Sequence, residues 1–180
     1  MPGVDKVPKL VVFGGLPGVG KTTIARRVAQ QLPATYLRID AIEEAIRKSF
    51  GTDDVKDAGY LVGYSLAKAN LTLGHNVVAD NVNPLEITRA AWRHVAADVG
   101  ASLLEIEVVC SNRSEHRRRV EGRVADIPGS KLPDWKAVAD RRREYEARSD
   151  ARLVIDTATV SASSAISLII EEIETGVRMS

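Results

Sequence analysis

The sequence has one cysteine in 180 residues, Cys110, so no intrachain disulfide framework can form and a reducing compartment fits. Cys110 ends the apolar run Ile106 to Val109 and reads as a buried strand residue rather than a reactive thiol. Aromatic side chains make up only 4% of the chain, which leaves little for stacking on unpaired bases. Charge of one sign is also lacking. Against 25 Lys and Arg stand 24 Asp and Glu, a formal net charge of +1, so no global field selects nucleic acid or an anionic membrane. No apolar run approaches the roughly 18 residues a membrane-spanning helix needs. The start, Met1 to Lys6, has no long apolar segment before the first strand, so no signal peptide is expected and a cytoplasmic location is. The three histidines, His75, His94 and His116, have no metal-ligand spacing to one another, so no zinc site is expected. There is no repeat of fixed period, and no biased segment beyond Ser161 to Ser164.

What is there is ordinary globular composition, 44% hydrophobic and 27% charged, at a length that suits one domain with a sizeable core. Residues 9 to 23 organise it. Leu10 to Phe13 reads as a buried strand, a glycine-rich turn follows, and Lys21 to Gln31 reads as a helix. Within the turn, Gly15 to Thr22 fits G-x-x-x-x-G-K-[ST], the phosphate-binding loop, in the strand–loop–helix context that the motif requires. Gly15, Gly18 and Gly20 permit backbone angles closed to other residues, so successive N–H groups can turn inward on an anion. The helix aims its positive end at the same place. Lys21 adds a cation for the outer phosphates, and Thr22 a hydroxyl for Mg²⁺.

Further along, strands alternate with helices. Strands are expected at Thr35 to Ile39, Asn76 to Ala79, Leu103 to Cys110 and Leu153 to Asp156. Helices are expected at Ala41 to Ser49, Asp53 to Leu73, Pro84 to Asp98, Ser114 to Val124, Asp134 to Arg148 and Ser164 to Glu174. Residues 125 to 133, with two prolines and a glycine, read as a mobile loop. The alternation calls for a parallel sheet with helices on both faces and right-handed crossovers. Ligands then gather at the carboxyl ends of the strands. The glycine loop, Asp40, Asp80 with Asn81 and Asn83, and Ser111 with Asn112 all fall there.

Several of these residues suit phosphate chemistry. Asp80 ends an apolar strand, where a carboxylate can reach Mg²⁺ or its water shell; a turn or helix cap is the plain alternative. Asp40 can orient a hydroxyl and accept its proton, or simply cap the next helix. Arg47, two turns on, can anchor a carboxylate or phosphate of an acceptor, or lie solvated near a helix end. Arg113, Arg117, Arg118, Arg119 and Arg123 precede the Pro/Gly loop, as a lid closing over polyphosphate requires. A solvated helix paired with Glu115 and Glu121, or a nucleic-acid patch, would look the same. Trp92 is expected in the core. Trp135 either covers a ligand or docks the lid helix.

Together these residues resemble the small P-loop kinases of the nucleoside-monophosphate-kinase-like group. They look closest to short AAA-family ATPases related to chloramphenicol phosphotransferase, adenylylsulfate kinase and gluconate kinase. The likeness rests on Gly15 to Thr23, Asp40 with Arg47, Val77 to Asp80, Val109 to Ser111 with His116 to Arg123, and Leu132 to Trp135. It implies a three-layer α/β fold with five parallel strands in the order 2-3-1-4-5, residues 1–180 as one domain, and an arginine-bearing lid at about 114–148. It implies transfer of the γ-phosphoryl of ATP, with Mg²⁺, to the hydroxyl of a small-molecule acceptor, by a monomer or homodimer. The resemblance gives the phosphates to Gly15, Pro17, Gly18, Val19, Gly20, Lys21, Thr22 and Thr23. By motif and position the metal falls to Thr22 with Asp80, directly or through water, and the acceptor to Arg47, Asn81 and Asn83 beside Asp40; the resemblance gives the acceptor to Asp40 and the ATP or its transferring phosphate to Arg119 and Arg123. Asp156 and Thr157 fall at the adenine-side loop. One departure is the single acid Asp80, followed by Asn81 instead of a second acid. Two other readings share the motif: a kinase of nucleic-acid 5′-hydroxyls or nucleotide sugars, and a nucleotide-dependent switch acting through a protein partner.

Overall fold

The computed structural model describes residues 7–52 and 54–176. Five parallel strands, β1 (Lys9–Gly14), β2 (Ala34–Arg38), β3 (Asn76–Asp80), β4 (Ser102–Val109) and β5 (Leu153–Asp156), form one sheet in the order β2-β3-β1-β4-β5. The expected order is therefore observed. Helices α1 (Lys21–Gln31), α2 (Ile39–Phe50), α3 (Ala58–Thr72), α4 (Glu86–Val99), α5 (Arg113–Glu121), α6 (Trp135–Glu144) and α7 (Ala162–Thr175) complete the described elements. Strand β1 is central because it is apolar on both faces. Val11 and Phe13 point to a core shared with α1 and α7, while Leu10 and Val12 point to the core under α3 and α4. Trp92, fully buried as expected, belongs to the second core and meets Tyr64 edge-on at 4.6 Å.

Element boundaries differ from the sequence expectation in ways that matter at the site. Helix α2 starts at Ile39, with Arg38 in the extended N-cap position and no side-chain cap. Asp40 therefore lies inside the first turn, where the helix dipole favours a carboxylate, and does not cap. Helix α3 begins at Ala58, because Lys56 adopts a left-handed φ of 45° that a helix cannot pass through; the expected start, Asp53, lies outside the described residues. Pro84 precedes α4 by two residues, and its carbonyl accepts from Arg89 and from the Glu146 N–H. Helix α5 stops at Glu121 before Gly122. Helix α6, capped by Asp134 as expected, stops at Glu144 rather than Arg148. Beyond it the chain leaves the helix to dock, with Glu146 on Pro84 and Arg148 on Glu105 and Asp150.

Candidate active site

The phosphate loop sits at the carboxyl end of β1 and is held by contacts that only glycine allows. Gly15 has φ 136°, and a Cβ there would lie 2.2 Å from the Val108 carbonyl oxygen. Gly18 has φ 83°, and its Cβ would meet Val120 Cγ2 at 2.5 Å. Gly20 takes the N-cap of α1 without a side-chain cap, so the first N–H groups of α1 face the loop. Val19 is buried in the core. Lys21 is buried too, with Nζ donating to the Leu16 carbonyl at 3.0 Å. Burial draws its pKa below the ordinary value, against the opposing pull of Asp80 and Asp40.

Asp80, 3% exposed, accepts at Oδ2 from the Thr22 hydroxyl and from the Tyr36 hydroxyl, both at 2.7 Å. Pro17, Gly18, Gly20, Lys21, Thr22, Thr23, Asp40 and Arg123 line one cavity of 260 Å³. The structure thus brings together most of the residues that the sequence assigned to phosphate and metal. Arg123 makes no ion pair among the described residues.

A second cavity of 380 Å³ shares Pro17, Arg38, Asp40 and Arg123 with the first and continues past Glu43, Arg47, Lys131 and Arg141. A third, of 400 Å³, opens from Asp40, Glu43 and Arg141 toward Tyr60, Val82 and Leu85. Asp40 stands where all three meet. Burial, and then the neighbouring Asp40, raise the Glu43 carboxyl above its ordinary value. Arg47 reaches the second cavity but is paired with Glu44.

Other predicted residues lie apart from these cavities. Arg119 is held by Glu115 and donates to the Thr157 hydroxyl at 2.8 Å and carbonyl at 3.0 Å. The Thr157 hydroxyl is also 2.8 Å from the Val19 carbonyl, so Arg119 is tied through Thr157 to the phosphate loop. Asp156 accepts from the Ser111 and Ala158 N–H groups; hydrogen bonding from the Ser111 side chain, and then from these two N–H groups, holds its carboxyl below the ordinary value. Asn81 and Asn83 are 2% and 1% exposed and do not line the three cavities. Their N–H groups bond Phe13 and the Tyr60 hydroxyl, fixing the loop behind Asp80.

Four residues at the site were given no role from the sequence. Arg38, on β2, clamps Asp126 of the 125–133 loop at 2.7 Å. Glu43 and Arg141 line the second and third cavities. His116 of α5 lies under the phosphate loop, with Nε2 2.8 Å from the Pro17 carbonyl. Arg38 and Glu43 flank Asp40 at helical or strand spacing, which is the one local hint that could have found them. Among the described residues, no group of three or more His, Cys, Asp or Glu could hold a metal. No helix there is long and apolar enough to cross a membrane.

Residues 10–147 match the family model described as an AAA domain. An uncharacterised protein of Mycobacterium tuberculosis is 32% identical over 110 residues, which is 54% of this chain but 22% of that protein. The chain therefore spans only a small part of the length of those first relatives. An adenylyl-sulfate kinase of Synechococcus is 26% identical over 175 residues, covering 91% of this chain and 93% of that enzyme. Among solved structures, the Mycobacterium tuberculosis APS kinase in complex with AMPPNP and APS superposes with a TM-score of 0.62 at 22% identity, over 93% of this chain and 98% of that one.

Proposed function

This chain belongs to the AAA_33 family of AAA domains, and on that footing we propose that it is an ATP-dependent phosphotransferase. It moves the γ-phosphoryl of Mg·ATP to a hydroxyl of a small molecule, a metabolite or an antibiotic. The observation that carries this reading is the convergence of Lys21, Thr22, Asp40 and Arg123 on one cavity. Kinase relatives that cover nearly the whole chain support it.

Roles follow from position. The loop N–H groups and Lys21 bind the phosphates. Thr22 and Asp80 offer hydroxyl and carboxylate oxygens 2.7 Å apart, the hard donors that Mg²⁺ takes. Bound there, Mg²⁺ would neutralise charge on the phosphate oxygens. Asp40, freed from capping, orients the acceptor hydroxyl and takes its proton where the three cavities meet. Arg123, unpaired at the same cavity, faces the charge that builds on the transferring group. The acceptor lies past Asp40, between Glu43, Arg141 and Tyr60. On this reading residues 1–180 act as one kinase domain, and residues 114–148 form a lid that excludes water.

A nucleic-acid reading is weaker, because Arg117, Arg118 and Arg119 are already paired with Glu121 and Glu115. The test is Mg·ATP consumption against pooled hydroxyl compounds: sugars, nucleosides, amino acids, aminocyclitols, phenicol antibiotics and a 5′-hydroxyl oligonucleotide. The expected result is ADP release well above the acceptor-free rate with one pool, and a phosphorylated product by mass. Lys21→Ala should abolish transfer. Asp40→Asn should keep nucleotide binding and cut turnover by roughly 10²–10⁴-fold; full turnover would remove Asp40 as the base. Slow hydrolysis with no pool dependence would favour a nucleotide switch.

A further inference from the structure

We propose that His116 is a positioning residue that holds the phosphate loop and α6 in the arrangement that receives a nucleotide. The inference rests on the phosphotransferase reading. His116 is fully buried on α5, between the phosphate loop and α6, two segments distant in sequence from each other. Its Nε2 lies 2.8 Å from the Pro17 carbonyl oxygen, and the Arg142 guanidinium of α6 lies 3.2 Å from its Nδ1. Trp135, the first residue of α6, meets the ring edge-on at 5.2 Å.

The partners fix the tautomer. A guanidinium only donates, so Nδ1 must accept from Arg142. The proton of the neutral ring then sits on Nε2 and is donated to Pro17. One neutral imidazole therefore satisfies both neighbours.

The bond to Pro17 bears on phosphate binding through peptide geometry. In a trans peptide the carbonyl and the following N–H point in opposite directions. Drawing the Pro17 oxygen toward α5 turns the Gly18 N–H away from α5, and Gly18 lines the phosphate cavity. The absence of a side chain at Gly18 lets α5 approach this closely. The same ring anchors Arg142, whose neighbour Arg141 lines the second and third cavities. His116 thus couples the phosphate side of the site to α6 and its acceptor side.

The charge around the ring favours its neutral form. Burial lowers its pKa below the ordinary 6.5, against the opposing hydrogen bond to Pro17, and Arg142 on α6, Lys21 on α1 and Arg119 on α5 add to the lowering. A second proton would go on Nδ1, against Arg142, and would break that contact.

The test is calorimetric binding of Mg·AMPPNP, which needs no acceptor, with the wild type, His116→Phe and His116→Gln. The Phe variant keeps the ring volume and the Trp135 contact but neither hydrogen bond, and should bind about tenfold more weakly. The Gln variant, whose amide N–H can reach Pro17, should bind within about twofold of wild type at pH 7.5. Wild-type affinity should fall as the pH is lowered from about 6.5 toward 4.5 more steeply than that of the Gln variant. Wild-type affinity in the Phe variant, with an unchanged pH profile, would overturn the inference alone. Should the Phe variant fail to fold, a Gln variant that loses affinity with pH as the wild type does would overturn it equally. Failure of the wild type itself to bind nucleotide would overturn the phosphotransferase reading, and this inference with it.

Discussion

At the scale of single residues, the structural part of Asp80 can be separated from the metal-binding part proposed for it. Its Oδ2 accepts from both Thr22 and Tyr36, and it is almost wholly buried. Removing the carboxylate takes the partner from two half-buried hydroxyls, and each lost hydrogen bond costs about 0.5–1.5 kcal/mol. Asp80→Ala should therefore lower stability in a urea titration and weaken Mg²⁺-dependent nucleotide binding as well. Asp80→Asn keeps an accepting oxygen but loses the charge. It should restore most of the stability while leaving Mg²⁺-dependent binding reduced by about tenfold or more. Equal recovery of both would limit Asp80 to a structural part. The carboxylate at this strand end was visible in the sequence as the end of an apolar run downstream of a phosphate loop, with a turn or cap as the plain alternative. Its hydroxyl partner Tyr36 was not, because it lies on another strand, 44 residues away.

At the scale of elements, the seam between α2 and α3 places Glu43 and Ile39. Two glycines one turn apart on α3 make it close. A Cβ at Gly59 would lie 2.3 Å from Glu43 Cγ, and one at Gly63 would lie 2.4 Å from Ile39 Cδ1. Ile39 belongs to the packed core under α3 and α4 and has little room to yield. Gly63→Ala should therefore destabilise by about 1–3 kcal/mol in denaturant, despite the better helix propensity of alanine. Gly59→Ala meets a side chain that can swing, so its effect should fall on the acceptor: a raised acceptor KM with nucleotide binding kept. A KM unchanged in Gly59→Ala would place Glu43 outside the acceptor's reach. The helices themselves were readable from periodicity; the starts of α5 and α6 are fixed by Asn112 and Asp134, whose side chains accept from the Glu115 and Ala137 N–H groups. The start of α2 was misplaced by two residues, since Asp40 suits a cap and a first turn equally well.

At the scale of the whole molecule, two carboxylates of the 113–150 region are held by arginines, among them residues of β2, α1 and α4. Asp126 is held by Arg38 and Arg26, Asp150 by Arg148 and Arg93. Hydrogen bonds from Arg38 and from Arg148, respectively, pull each carboxyl from an ordinary 3.8 to about 2. A carboxylate whose folded pKa is depressed contributes stability that is complete above the unfolded value and is lost as pH falls through the folded one. The unfolding temperature should therefore drop between about pH 4 and pH 2, and cleavage of the 125–133 loop by an acid-active protease should rise over the same range. An Asp126→Asn variant should show a shallower drop; an identical one would remove Asp126 from the account. The fold needed none of this long-range pairing to be read. Strand and helix periods, the glycine loop and the caps are local consequences of backbone hydrogen bonding and burial, and a sequence displays them directly. The partners that finish the site are another matter. Pro17 and His116 are 99 residues apart, and Arg38 and Asp126 are 88. With 25 basic and 24 acidic residues to choose among, no local pattern says which pair meets. That choice is made when right-handed crossovers and helix packing bring distant side chains to the same end of the sheet.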